Sequence, residues 1–327
     1  MTSAEDARFL AAAIALAGRG HARTTPNPNV GCILVKHGHV VGRGWTQAGG
    51  RPHAEAMALA QAGEAARGST AYTSLEPCAH DSDRGPACAN SLVAQGVIRV
   101  VSAVLDPDRR TNGQGFDRLR ANGIAVASGP LSKEARESMA GWWSRETRKR
   151  PYVTLKLATS LDGCIALRNG ESRWITGEAA RAHGHLERAR ANMVIVGRGT
   201  IEADNPRLDV RLPGLEQRSP RKGVLTKGTA PPGWEALASP QSISDLERVD
   251  WILVEGGAAT AASFLKAGLV DRLLLYRAPI TIGIGRASLG DIGLDRMDDA
   301  HGQWLRTDAR QFGSDMLDIY ERVDKGL

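Results

Sequence analysis

In the first half of the chain, helix-spaced apolar positions alternate with short apolar runs. Ser3 followed by Asp6 reads as the opening of an Ala-rich helix that stops near Gly18 and Gly20. Residues 30–35 read as a buried strand, and His37-Gly38 turns it into a second strand at Val40-Val41. A helix over 54–66, a short strand over 70–73, a helix over 87–95 and a strand over 97–104 follow, the last ending at Asp106-Pro107. Helix 116–122, strand 124–127 and helix 131–147 complete the series. Such alternation predicts an α/β fold, a sheet with helices on its faces.

Arg148-Lys149-Arg150-Pro151 breaks the pattern, and proline disfavours helix in the residue before it, so a domain boundary falls there. The two domains are then 1–147 and 151–327. The second restarts with a strand over 152–157 and an Asp162-Gly163 turn. Helix 178–190, strands 193–196 and 251–254, helix 259–267 and strand 272–275 follow. Between residues 212 and 239 the chain is rich in Pro and Gly and shows no clear period.

Composition adds exclusions. At 327 residues, with 42% hydrophobic and 24% charged, the chain suits about two globular domains rather than a disordered or fibrous protein. No apolar run approaches the ~20 residues that span a bilayer. Residues 1–8 carry Glu5 and Asp6 and lack a basic region, which argues against a signal peptide and for a cytoplasmic protein. The net charge of +6 divides evenly, 16 basic against 13 acidic residues up to Thr147 and 26 against 23 after it. Nucleic-acid binding would cluster that charge, so a phosphorylated small molecule is the expected partner, with no nucleic acid and no membrane. Assembly as a homo-oligomer is left open.

Four cysteines are too few for a disulfide framework at this length, and metal binding is the first alternative. His53-Ala54-Glu55 is followed by Pro77-Cys78 and then, after nine residues, by Cys88. One imidazole and two thiolates suit zinc and leave a fourth position for water, whose pKa the metal lowers to ~7. Glu55 is placed to shuttle the proton, the role that the glutamate of H-x-E has in zinc deaminases. Helices starting at these ligands would stabilise the thiolates. Cys32 falls in a strand and Cys164 just past a turn, so neither is assigned to the metal. A structural four-ligand zinc would need His80, the one spare donor nearby. In the second half there is no G-x-G-x-x-G, but Gly197-Arg198-Gly199 and Gly256-Gly257 follow strands. There, backbone N–H groups at a helix start can receive a phosphate.

Several stretches resemble the bifunctional riboflavin-biosynthesis deaminase–reductase family. In the first half these are Thr25-Pro26-Asn27-Pro28-Asn29-Val30-Gly31, Pro52-His53-Ala54-Glu55, Leu75-Glu76-Pro77-Cys78-Ala79-His80 and Asp106-Pro107. In the second they are residues 156–163, 171–176, Ala203-Asp204-Asn205-Pro206 and Glu255-Gly256-Gly257. The resemblance implies an N-terminal cytidine-deaminase-like domain acting on a pyrimidine nucleotide and a C-terminal dihydrofolate-reductase-like domain using NADPH. It makes His53, Cys78 and Cys88 the zinc ligands, Glu55 the catalytic proton shuttle, and Asn27 and His80 substrate contacts. In the second half it assigns Ala158, Trp174, Thr200, Asp204 and Gly257 to the cofactor, and Ser172, Arg188, Leu208, Arg211 and Glu255 to the substrate. Arg188 and Arg211 would suit its phosphate, since guanidinium binds phosphate bidentately. The sequence departs from the family in the cysteine spacing, nine residues over 79–87, one more than usual. The segment 212–251 is also shorter than usual, and only residues 221–226 match there. Three rivals remain: a nucleic-acid base deaminase with an accessory domain, a deaminase whose second domain is no longer a reductase, and a non-catalytic zinc scaffold.

Overall fold

The computed structural model describes residues 3–81 and 85–323. The chain divides into two compact units, Met1–Lys149 and Arg150–Leu327.

The first unit is a five-stranded sheet flanked by helices. Its strands are β1 (Gly31–Lys36), β2 (His39–Trp45), β3 (Thr70–Thr73), β4 (Arg99–Ser102) and β5 (Ala125–Ser128). They lie in the order β2-β1-β3-β4-β5, with β1 antiparallel to both neighbours and β3, β4 and β5 parallel. His37 and Gly38, both with positive φ, make the two-residue turn between β1 and β2. The helices are α1 (Ala4–Ala17), α2 (Ala54–Ala62), α3 (Cys88–Ala94), α4 (Gln114–Ala121), α5 (Ser132–Ser138) and α6 (Ala140–Arg148). Helix α2 lies directly on β2 because Gly42 and Gly44 have no side chain. A Cβ at Gly44 would overlap the Ala54 carbonyl oxygen. This close approach fixes the first turn of α2, which carries Glu55, with His53 as its N-cap.

Buried Asp6 ties α1 to the sheet. Its carboxylate accepts from both Arg99 Nη atoms (2.7 and 2.9 Å), from the Tyr72 hydroxyl (3.0 Å) and from the Ser3 N–H (2.8 Å). The Ser3 hydroxyl returns a bond from the Asp6 N–H, completing a capping box.

The second unit carries β6 (Tyr152–Thr159), β7 (Cys164–Ala166), β8 (Met193–Gly197), β9 (Arg221–Leu225), β10 (Trp234–Leu237), β11 (Trp251–Val254), β12 (Arg272–Arg277), β13 (Arg286–Ala287), β14 (Trp304–Phe312) and β15 (Asp315–Arg322). Eight strands form one sheet in the order β10-β9-β8-β11-β6-β12-β15-β14. It is parallel from β10 to β12, with β15 and β14 antiparallel at the edge. The interior strands are buried on both faces, as their apolar runs require, and helices α7 (Glu178–Ala189), α8 (Arg198–Asp204), α9 (Ala258–Lys266) and α10 (Met297–Ala300) link or flank them. β7 and β13 pair separately as a two-stranded ribbon. Arg150 is anchored in this unit, its guanidinium fork on Asp271 at 2.6 and 2.7 Å.

Several expectations are corrected. The helix expected over 131–147 is two helices, α5 and α6, separated at Met139, whose φ of −119° is not helical. The helix over 54–66 ends at Ala62, and a 3₁₀ turn, Gly63–Ala66, completes it. The strand over 97–104 contracts to β4. The unassigned stretch 212–239 holds β9 and β10, so the shortened segment still supplies two strands to the sheet.

The Arg99 bonds hold the Asp6 carboxyl well below the usual carboxylate range. Its stabilising effect is therefore complete above the unfolded pKa of about 4 and is lost progressively as pH falls from there through the much lower folded-state value. Asp6→Asn should destabilise the first unit by about 3 kcal/mol at pH 7, the scale for breaking a buried pair. Urea unfolding of the full chain should show this gap in full at pH 7 and a gap that starts to narrow only below about pH 4, as the unfolded carboxyl begins to protonate.

Candidate functional sites

In the first unit, His53 at the N-cap of α2, Cys78 after β3 and Cys88 at the start of α3 converge. Their ligand atoms lie within 4.8 Å of one another. His53 Nδ1 is 3.3 Å from Cys88 Sγ and 3.7 Å from Cys78 Sγ. The Cys88 N–H donates to Cys78 Sγ at 3.2 Å. Hydrogen bonds from Cys88, aided by His53, bring the Cys78 thiol down to about 4, against the effect of burial. Cys88, beside that sulfur and buried, is pushed up. Two buried sulfurs that resist ionising together call for a cation, and three donors with no fourth His, Cys, Asp or Glu in the group among the described residues fit a zinc ion with one open position.

Glu55, only 3% exposed, follows on the first turn of α2. Burial raises its carboxyl above the usual range, against the pull of His53. The Asn27 amide nitrogen sits 2.9 Å from His53 Nε2 and donates to the Gly50 carbonyl at 2.9 Å. Asn27, expected as a substrate contact, thus touches a metal-site ligand. His80 stays outside the donor group, with Nδ1 3.5 Å from the Thr111 hydroxyl. In the loop between the cysteines, Asp81 Oδ1 accepts from the Ala87 N–H at 2.7 Å, just ahead of α3. Residues 82–84 of that loop lie outside the described residues.

In the second unit, a cavity of about 1150 Å³ opens at the carboxyl ends of the parallel strands, where ligands of open α/β sheets bind. Ala158, Trp174, Thr200, Asp204 and Gly257 line it, and so do Ser172, Arg188, Leu208, Arg211 and Glu255. Gly197 and Gly257 are the N-caps of α8 and α9. Gly256 has no room for a Cβ, which would overlap Thr260. Trp174 is 65% exposed and lies under the Arg181 guanidinium, 4.6 Å away, so it belongs to the cavity wall rather than to the core.

Arg188, expected among the substrate contacts, lines the cavity and is paired within the protein. Its Nε and Nη2 donate to the two Glu255 oxygens at 2.6 and 2.9 Å, and Nη1 donates to the Asp209 carbonyl. Lys156 Nζ stands 3.8 Å from the same carboxylate. Burial alone would raise Glu255, but Arg188 and Lys156 more than offset it and hold the group below the usual range. The Arg188 fork is thus taken by an internal partner, whereas Arg211 remains more than half exposed, 3.5 Å from Asp209. Lys156, Tyr276 and Arg286, none of them among the expected site residues, also line the cavity. A charged residue within the buried run of β6 was the available signal for Lys156.

Residues 3–104 match the cytidine and deoxycytidylate deaminase zinc-binding region, and residues 151–237 and 241–317 match the RibD C-terminal domain. The riboflavin biosynthesis protein RibD of Aquifex aeolicus is 34% identical, over 97% of this chain and 98% of its own. The chain belongs to the RibD family. RibD of Escherichia coli is 36% identical over 95% of this chain and 98% of its own. The crystallised Acinetobacter baumannii RibD has a TM-score of 0.87 at 34% identity, covering 98% of this chain and 99% of its own. As a RibD protein it is a bifunctional riboflavin-biosynthesis enzyme, with a zinc-dependent deaminase domain followed by an NADPH-dependent reductase domain. This sets aside the reading as a nucleic-acid deaminase and that as a non-catalytic scaffold. The alignment with the Aquifex relative runs over 354 positions against 327 residues here, in keeping with a shortened chain. No helix among the described residues is long and apolar enough to cross a membrane.

Purified protein should contain one zinc per chain. Cys88→Ser should lower it several-fold, while Cys32→Ser and Cys164→Ser leave it unchanged. Metal analysis of the three variants checks the donor set.

Proposed function

We propose that the first unit hydrolyses a ring amine of 2,5-diamino-6-ribosylamino-4(3H)-pyrimidinone 5′-phosphate and that the second reduces the ribosyl chain of the product to ribityl. The convergence of His53, Cys78 and Cys88 beside buried Glu55 carries this reading. His53, Cys78 and Cys88 hold the zinc, and Asn27 fixes the His53 ring through Nε2. Bound there, zinc supplies the Lewis acidity that activates water near neutral pH. Glu55 accepts one proton from the attacking water and returns it to a ring nitrogen, then accepts a second from the hydroxyl so added and passes it to the departing amine, which leaves as ammonia. Burial suits it to both tasks, because a raised carboxyl pKa is closer to the working pH. His80, beside Thr111, contacts the substrate.

In the second unit NADPH supplies the hydride. The start of α9 at Gly257, Thr200 and Asp204 on α8, Ala158 and Trp174 form the cofactor wall. Ser172, Leu208, Arg211 and Glu255 face the substrate. Arg188 orients Glu255 and keeps it ionised, and Arg211 has an exposed guanidinium to offer a phosphate. The even charge division, the small-molecule cavity and the use of NADPH support a cytoplasmic enzyme acting on a phosphorylated small molecule.

Glu55→Gln should retain zinc and lose deamination by ~10²–10⁴-fold, the usual share of a general acid–base group. NADPH oxidation by the same variant, supplied with deaminated substrate, should match wild type. Metal-replete Glu55→Gln releasing ammonia at the wild-type rate would refute the role given to Glu55.

A further inference from the structure

Between α7 and the sheet of the second unit lies a buried polar pair that the reductase reading leaves unused. Tyr276 on β12 is paired with Ala158 on β6, and its ring closes that wall of the cavity. The residue is only 1% exposed, and its hydroxyl meets Nδ1 of His183, on α7, at 2.6 Å. His183 lies behind Tyr276 as seen from the cavity, with its ring against Phe312 of β14, 4.7 Å between centroids. Its Nε2 is buried without a hydrogen-bond partner among the described residues, and Glu187 Oε1 stands 3.8 Å away. Burial lowers the His183 pKa, aided by Arg310, Arg190 and Arg272 and opposed by Glu187, so the ring is neutral at neutral pH.

The Glu187 carboxylate favours the tautomer with its proton on Nε2, which leaves Nδ1 to accept from the Tyr276 hydroxyl. A buried imidazole nitrogen without a partner is destabilising, and phenylalanine would fill the same space without that penalty. The Tyr276 bond is what the imidazole provides and phenylalanine would not. The phenol ring in turn faces Lys156, whose Nζ is 5.7 Å from the ring centroid and 3.8 Å from Glu255 Oε2. A hydroxyl that donates to an imidazole makes its ring richer in electrons, which strengthens the pull on a cation over the ring face. Gly184, the next residue on α7, lies against the Lys156 stem. One turn of α7 thus bears on both Tyr276 and Lys156.

We propose that His183 is a positioning residue of the reductase: it pins the Tyr276 phenol, and the phenol ring holds the Lys156 ammonium beside Glu255 in the cavity. This rests on the reductase reading of the second unit. His183 acts only through Tyr276, so its removal changes where Lys156 stands and leaves the cavity lining itself intact.

The test follows NADPH oxidation by the full chain supplied with deaminated substrate. His183→Phe keeps the packing and removes the acceptor, and Tyr276→Phe removes the hydroxyl. Each should lower kcat ~10-fold, with KM for the substrate within ~3-fold, as misplacement of a reacting group does. The double variant should lose no more activity than either single one, because both remove the same bond. It should also regain the urea midpoint that the single variants lose, since apolar groups then replace both partners of the buried bond. A merely structural bond would return activity together with stability. His183→Asn, whose side-chain oxygen falls where Nδ1 stood, should recover most of kcat. NADPH affinity, read by fluorescence quenching, and ammonia release by the first unit should match wild type throughout. Wild-type kcat in His183→Phe or Tyr276→Phe overturns the assignment, and so does activity that returns with stability in the double variant. If the wild-type chain oxidises no NADPH on this substrate, the reductase reading itself fails and the assignment with it.

Discussion

Two buried sulfurs standing side by side are the constraint on which the first unit turns. Cys78 gives up its proton easily because Cys88 donates to it, through the thiol and through its backbone N–H. Cys88 resists because a second buried negative charge beside the first is unfavourable. A divalent cation removes that conflict, and the surrounding structure is arranged to admit one. Gly44 lets α2 settle on β2, which brings His53 to the sulfurs and Glu55 to the same turn. Asn27 then holds the far side of the His53 ring. The same compactness that makes the sulfurs interfere also keeps Glu55 dry, and a dry carboxyl can pass a proton in both directions.

The second unit solves a different problem with a similar economy of elements. Its parallel strands end in glycines, and helices begin there, so backbone donors face the cavity without side chains in the way. The carboxylate at the cavity wall is kept charged by two cations, one from β6 and one from α7. Glu255 and Arg188 therefore act as a unit. Removing either would leave a buried charge without its partner, which costs more than the pair contributes.

How much of this could be read from the chain depended on how local the signal was. His53, Glu55, Cys78 and Cys88 were legible because metal chemistry restricts residue types and because His53 and Cys88 stand at helix starts. The turn at His37-Gly38 was legible because two positive φ values demand such residues. β9 and β10 escaped notice because they are short and set among prolines and glycines. The hairpin of β14 and β15 escaped for another reason: β14 lies at the sheet edge with mostly exposed side chains, so it lacks the apolar alternation that marks a strand. The Arg188 pairing could not be foreseen, because Glu255 is 67 residues away and only the fold brings them together. Arg286 gave no signal at all, as an arginine near a two-residue strand looks like any surface charge.

The central claim is that one chain carries out two consecutive reactions, deamination and then reduction. The most direct measurement follows ammonia release and NADPH oxidation together, in one sample of wild-type enzyme given the diamino-pyrimidinone ribosylamino 5′-phosphate. The account predicts that ammonia appears first, that NADPH oxidation begins after a lag, and that both reach one equivalent per substrate. NADPH consumed without ammonia, or ammonia released with NADPH left untouched, would contradict it.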